Sequence, residues 1–296
     1  MSEPASTAKI EIENKIENNI ENPKILVESR ESDIEIKKKK EPLSHINSET
    51  AKNGYKEEAL VCIDLTNETI KTTFSEMLGD SYGDWEQVSG TSKVDIQSKI
   101  VILDQPIGYL KAQVKKYKDG QFQQIDRHWV DALIKYIPEL NEVAHMLKGL
   151  CERSLLSNGT HVDPNTSIKK LSRSNYSQEE LDKLVMELNK YKRQILNYAF
   201  LGTNTDTQPE YLIGVGYVAG KRTKITILKI KDVIDYLETL DFKISNKETV
   251  IKLGNDSILS FQRKGGDGGK KGSNQLQIKI VVSKIVDKVY NLQHNL

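Results

Sequence analysis

Only two cysteines, Cys62 and Cys151, occur in the 296 residues, and they stand at neither metal-ligand nor paired spacing. That excludes a disulfide framework and leaves two ordinary reduced thiols. No run reaches the roughly 18 apolar residues that a membrane-spanning helix needs. Met1-Ser2-Glu3-Pro4 opens no apolar signal region, so a cytoplasmic protein without a membrane partner is expected. Histidine is also scarce, and His145 and His161 have no partner at ligand spacing, which argues against a zinc site. Strong charge of one sign is missing too: the formal net charge is +1.

The near-neutral balance averages unlike parts. From Lys221 to the C-terminus there are 15 Lys and Arg against 8 Asp and Glu, whereas the first 56 residues hold 10 against 11. A phosphate backbone responds to local excess, so the basic last third is compatible with a nucleic-acid partner. Residues 1–50 contain no aromatic side chain, repeat an Ile-Glu-Asn theme and include Lys37-Lys38-Lys39-Lys40. Such a segment buries too little apolar surface to offset an ordering entropy of about 1–2 kcal/mol per residue, and it reads as a disordered or loosely ordered tail.

Beyond the tail, apolar spacing from Ala59 to Leu78 predicts a helix with a break, ending at Gly79. Short strands are expected at 92–96, 100–104 and 108–114, followed by a turn at Lys118-Asp119-Gly120. A helical pattern runs from Gln124 to about Ser154, interrupted at Pro138. Ser177-Gln178-Glu179-Glu180 predicts a capping box opening a helix to about Tyr198. Past Pro209 the texture turns to strands: a hairpin about Ala219-Gly220, strands near 249–253, 258–262 and 275–282, a helix at 232–240 and a terminal helix. The fold class is α/β (α+β), a central mixed sheet flanked by helices. Residues 54–200 are expected to form the core and 201–296 a β-rich recognition portion.

The chemistry concentrates in Gly90-Thr91-Ser92-Lys93-Val94-Asp95 and, 18 residues after the aspartate, Gln113-Val114-Lys115. Strand alternation puts Gln113 and Lys115 on one face. Metal-assisted phosphodiester hydrolysis needs oxygen ligands for a hard cation and a group that orients or deprotonates the attacking water. Asp95 and the carbonyl oxygens of Gln113 and Val114 suit the first task, and Lys115 the second. Glu57 or Glu58, on the first helix, can add a carboxylate.

A helix carrying Glu, a Gly-x-x-Lys-x-Asp strand and a (D/E/Q)-x-K strand together resemble the PD-(D/E)xK nuclease superfamily. It includes type II restriction endonucleases and Holliday-junction resolvases. The resemblance covers residues 54–137. It implies Mg²⁺-dependent cleavage of double-stranded DNA, with Asp95, Gln113 and Glu58 on the metal side and Lys115 as the catalytic lysine. Gln113 departs from the usual acid, which keeps a binding-only descendant in play beside a restriction enzyme and a structure-selective nuclease. A homodimer and a cognate DNA methyltransferase are compatible with the restriction reading.

DNA contacts are expected from Arg127 and from the segment around Gly265-Gly266-Asp267-Gly268-Gly269, through Arg263, Lys264, Lys270, Lys271, Asn274 and Gln275. That segment is not a P-loop, because Gly269-Lys270 is followed by Lys271. His128, beside Trp129, reads as a structural helix residue. Asp256, Gln262 and Lys264 form a second, more compressed D…QxK pattern, ranked behind the first.

Overall fold

The computed structural model describes residues 49–72, 82–90, 93–102, 105–151, 171–263, 275–289 and 291–296. The expected N-terminal tail lies outside them, except for its last residues. The first helix, α1, spans Glu49–Thr66. Strands β1 (Tyr82–Gln87), β2 (Ile96–Ile102) and β3 (Gln105–Tyr117) follow as an antiparallel meander. After the turn at Lys118–Gly120, where Gln121 N–H donates to the Lys118 carbonyl, comes β4 (Gln123–His128).

Helices α2 (Val130–Tyr136), α3 (Ala144–Cys151), α4 (Gln178–Lys190) and α5 (Lys192–Leu201) then lead to β5 (Tyr211–Val218). β5 lies parallel to β3, an arrangement that needs a long crossover such as this helical excursion. β6 (Lys221–Lys229) returns as a hairpin, and α6 (Ile230–Glu238) follows it. The chain ends with β7 (Phe242–Ile244), β8 (Ile251–Leu253), β9 (Leu259–Arg263), β10 (Leu276–Ile280) and β11 (Asn291–Asn295).

Two sheets result, with orders β1-β2-β3-β5-β6-β11 and β4-β10-β9-β8-β7. The expected division at residue 200 runs through both: β5, β6 and β11 complete the first sheet, while β4 joins the second. One face of the six-stranded sheet packs on α1, burying Val61 and Leu65 against Ile96, Val114, Ile213 and Ile225. Its other face shares the larger core with the helices and the inner face of the five-stranded sheet, among them Leu212, Leu228, Phe200, Phe261 and Ile278.

Local signals place several elements as expected. Ser177 Oγ accepts from Glu180 N–H, and the Glu180 carboxylate accepts from Ser177 N–H at 2.7 Å, closing the capping box that opens α4; such a cap is worth about 1 kcal/mol. In α6, Ile230, Val233, Ile234 and Leu237 are all buried, the stripe that a period of 3.6 requires.

Three expectations are corrected. Gln123–His128 is a strand, not the start of a helix: it has weak intrinsic preference either way, and pairing with β10 decides. The C-terminal segment is also a strand, at the edge of the first sheet beside β6, and not a helix. The expected strands at 92–96 and 100–104 are replaced by one, β2, which begins where the first was expected to end. β1, with Trp85 buried beneath α1, carries no apolar alternation strong enough to announce it.

Candidate active site

Asp95 sits one residue before β2, where that strand peels away from β3. Its N–H donates to the Ala112 carbonyl at 2.9 Å and its carbonyl accepts from Val88 N–H at 3.0 Å. β3 continues past the end of its partner, so the Val114 N–H has no strand to bond on that side. The Asp95 carboxylate takes that place, with Oδ2 at 2.7 Å from Val114 N. The same oxygen lies 3.3 Å from Lys115 Nζ. A carboxylate and a lysine 20 residues apart in sequence therefore meet at a fixed backbone position.

Gln113 precedes this pair on the Lys115 face of β3. It is 4% exposed, and among the described residues its side-chain oxygen has no hydrogen-bond partner. Gly214 of β5 stands directly across from Lys115. A side chain there would start 2.8 Å from the Tyr117 ring, so glycine lets that ring close the floor beside Lys115.

The structure separates the two candidate glutamates. Glu58 accepts from Gln87 Nε2 at 3.3 Å, and that amide also donates to the Tyr55 carbonyl, fastening the end of β1 to α1. Burial, with the charge of Asp95 second, pushes the Glu58 carboxyl up to about 7 against the opposing effects of the Gln87 bond and Lys115. Glu57 points into a different cluster.

Lys93, the lysine of the Gly-x-x-Lys-x-Asp segment, has a structural task. Its ammonium donates to Asp126 Oδ1 at 2.5 Å and to the carbonyls of Ile125 and Ala199 at 2.9 Å, joining the approach to β2 with β4 and α5. Burial pulls its pKa below the usual lysine value, and Asp126 works against that pull. Gly202 admits the Lys93 stem: it has a φ of 74°, and a Cβ there would stand 3.2 Å from Lys93 Cγ.

The buried Asp126 also meets His128 Nδ1 at 2.9 Å, and the Tyr198 ring stands edge-on to the imidazole. Lys93, His128, Lys135, Tyr136, Tyr198 and Asn204 line a cavity of about 470 Å³. Sequence reasoning missed this pairing because it read 124–128 as helix, where residues two apart diverge. On a strand they share a face.

Of the expected DNA-contacting residues, Arg127, Arg263 and Gln275 lie near one end of the five-stranded sheet. Arg127 lies on β4, directly across from Gln277 of β10, which in turn lies across from Gln262 of β9. Arg263 ends β9 and Gln275 precedes β10, whereas Lys264, Lys270, Lys271 and Asn274 lie outside the described residues. In the rival pattern, Asp256 is exposed in the turn before β9, and Gln262 sits toward the far end of that strand, bonded to Ser260. A strand rise of about 3.3 Å per residue keeps them apart.

The family model of the R.HinP1I restriction endonuclease matches residues 86–286. The chain belongs to this family. As an R.HinP1I-family protein it has a restriction-endonuclease-like PD-(D/E)xK fold, and the match spans both β2–β3 and the five-stranded sheet. Among solved structures, the restriction endonuclease MspI, crystallised with its cognate DNA, is similar in fold. It has a TM-score of 0.52 and 14% identity, covering 80% of this chain and 93% of MspI. No curated protein sequence matches the chain.

Among the described residues no helix is long and apolar enough to cross a membrane, and no three His, Cys, Asp or Glu side chains converge as a metal cage. Asp95, Glu58 and the unpartnered oxygen of Gln113 are nevertheless a fitting donor set. All three are hard oxygens, and the Asp95 carboxylate already meets the charge of Lys115 at 3.3 Å.

Proposed function

We propose that this chain is a type II restriction endonuclease that hydrolyses phosphodiester bonds of double-stranded DNA at a specific sequence, with Mg²⁺ as cofactor. The observation that carries the reading is the Asp95–Lys115 contact at the start of β2, with a buried Gln113 oxygen on the same strand as Lys115 that no group among the described residues satisfies. Asp95, Glu58, Gln113 and the Val114 carbonyl would hold Mg²⁺. When bound, the ion supplies charge stabilisation at the phosphate and lowers the pKa of water.

Lys115 orients the attacking water and offsets negative charge gathering on the phosphate, because its ammonium is anchored by Asp95. Asp95 is itself held by the Val114 N–H, so its carboxylate does not have to reorganise during the reaction. Burial and Asp95 favour a protonated Glu58 in the metal-free site, so this carboxyl releases its proton to serve as a ligand.

DNA contact is assigned to the outer face of the five-stranded sheet. Arg127 and Gln262 flank the buried Gln277 in one cross-strand row, and Lys279, Lys252 and Lys243 stand in another that passes through the buried Ser260, with no acid in either. Cations there suit phosphates, and amides suit base edges. Arg263, Lys264, Lys270, Lys271, Asn274 and Gln275 extend the same proposal at the β9–β10 end. Cytoplasmic residence, a homodimer and a companion methyltransferase accompany it.

The test is incubation of plasmid DNA with the protein in Mg²⁺ and in EDTA. Discrete fragments that need Mg²⁺ support the proposal. Cleavage confined to branched DNA would replace it with a structure-selective nuclease, and binding without cleavage would reduce it to a DNA-binding protein.

A further inference from the structure

Glu57 and Lys116 are each the sequence neighbour of a residue in the candidate active site, and both belong to a second cluster, centred on the buried Glu57 and open to solvent at Lys116. Glu57 is 5% exposed and accepts from Tyr217 Oη at 2.5 Å. Arg222 of β6 places Nε 3.0 Å from the other Glu57 oxygen, and its fork also bonds Asp64. Lys116 Nζ lies 3.9 Å from Glu57 and 3.7 Å from the centre of the Tyr217 ring.

Glu57 and Asp64 are seven residues apart on α1, so one guanidinium grips the same helix stripe at two places, two turns apart. Among the described residues, the rest of the attachment of α1 to the sheet is apolar, through Val61, Cys62 and Leu65, apart from Gln87 of β1, which bonds Glu58 and the Tyr55 carbonyl at the N-terminal end of the helix. Apolar packing is non-directional and tolerates a small rotation of the helix about its axis. Arg222 opposes that rotation, because it holds Asp64 by a directional hydrogen bond while its charge pairs with the buried Glu57 carboxylate two turns away. Successive helix residues are about 100° apart, so fixing Glu57 also fixes where Glu58 points. Successive strand residues face opposite ways, so holding Lys116 on one face sets Lys115 toward the other.

We infer that Arg222 is a positioning residue for the cleavage reaction: by gripping Glu57 and Asp64 it sets the rotation of α1 and aims Glu58 at Asp95 and Lys115. It touches neither the DNA nor the metal. The inference rests on the proposed assignment of Asp95, Glu58 and Lys115 to the active site.

The experiment uses full-length protein and three variants: Arg222→Lys, Tyr217→Phe and the double variant Glu57→Gln/Arg222→Met, which leaves Glu57 without a charge to strand. Three quantities are measured: single-turnover cleavage against Mg²⁺ concentration, calorimetric Ca²⁺ binding to the protein–DNA complex, and DNA affinity. In the double variant, half-saturation by Mg²⁺ and the Kd for Ca²⁺ should rise about 10- to 100-fold, the usual effect of losing an outer-shell partner of a metal site. DNA affinity should stay within about twofold of wild type, and Arg222→Lys should fall in between.

A folded double variant with wild-type metal affinity and rate would overturn the inference and leave the network a structural feature. If the double variant does not fold, unchanged metal affinity in both Tyr217→Phe and Arg222→Lys overturns it equally. Asp95→Ala separates the two levels. Undiminished cleavage by that variant defeats the active-site assignment itself, whereas its inactivity beside unaffected Arg222 variants defeats only the positioning role.

Discussion

Two charged clusters flank β3, and they are balanced differently. On the Lys116 side, Glu57 and Asp64 face Arg222 and Lys116, two negative groups against two positive ones. On the Lys115 side, Asp95 pairs with Lys115 and Glu58 lies within reach of both charges, while Lys93, which also feels Asp95, is bonded to Asp126. A buried amide oxygen at Gln113 adds further acceptor capacity there. The balanced cluster is what a protein builds to hold a helix. On the other side, Asp95 and Glu58 each accept from a protein donor while the Gln113 oxygen finds none among the described residues, which is the feature that the proposed metal role uses.

Breaking the unbalanced side should give the largest effect. Asp95→Ala and Lys115→Ala are each expected to lower the single-turnover rate by about 10²–10⁴-fold or more, the range for losing a positioned group in proton transfer and charge stabilisation. DNA affinity in Ca²⁺ and thermal stability should change little for Lys115→Ala. Asp256→Ala and Lys264→Ala should leave the chemical step intact; a loss confined to those two variants would move the site to the second D…QxK pattern.

Breaking the balanced side should appear first in stability. Arg222→Met alone leaves Glu57 buried without its main partner and should cost about 3–5 kcal/mol in denaturant unfolding. Adding Glu57→Gln removes the stranded charge and should recover most of the loss. A double variant as unstable as the single one would mean that Arg222 acts through packing rather than charge.

Gln113→Glu sharpens the contrast by making the deficient side more deficient. One added charge contact is worth about 1–4 kcal/mol at surface-like dielectric. Half-saturation by Mg²⁺ should therefore fall by on the order of tenfold, with lower stability when EDTA is present. Unchanged metal dependence would show that the Gln113 side chain does not face the ion.

The same imbalance sets a pH dependence. Folded protein without metal keeps the Glu58 proton up to about pH 7, against an ordinary value of 4.5. This contribution to stability is therefore complete below about 4.5 and is lost as pH rises through 7. In EDTA, Glu58→Gln should flatten that decline, and Mg²⁺ should offset it in the wild type. Equal slopes in both proteins would contradict burial of Glu58 beside Asp95. The smallest effect is expected far from β3: Arg127→Ala should reduce the salt slope of DNA binding by about one counterion, with no change in the chemical step.

Much of this was legible locally. The capping box at Ser177, the α6 stripe and the hairpin at Ala219-Gly220 depend on neighbours a few residues away, so the sequence states them outright. The pairing of Gln113 with Lys115 on one face follows from strand alternation alone, and the Gly-x-x-Lys-x-Asp segment marks the approach to the site. β4 was not legible, because Gln123–His128 becomes a strand only where β10 offers it an edge. The Asp126–His128 pairing was lost with it.

Sequence by itself determined the kinds of residue available and their order: a carboxylate, then an amide and a lysine two apart, after a helix bearing adjacent glutamates. Tertiary structure decided which glutamate stands within reach of Asp95 and Lys115. Glu57 and Glu58 are chemically identical and differ only in direction from the helix axis, and that direction is set by Arg222 more than 160 residues later. It also decided that Lys93 braces the frame while Lys115 faces Asp95, since each lysine's task depends on the acceptors that distant strands bring to it. Residue identity is local information, whereas side-chain direction and charge balance are properties of the packed chain.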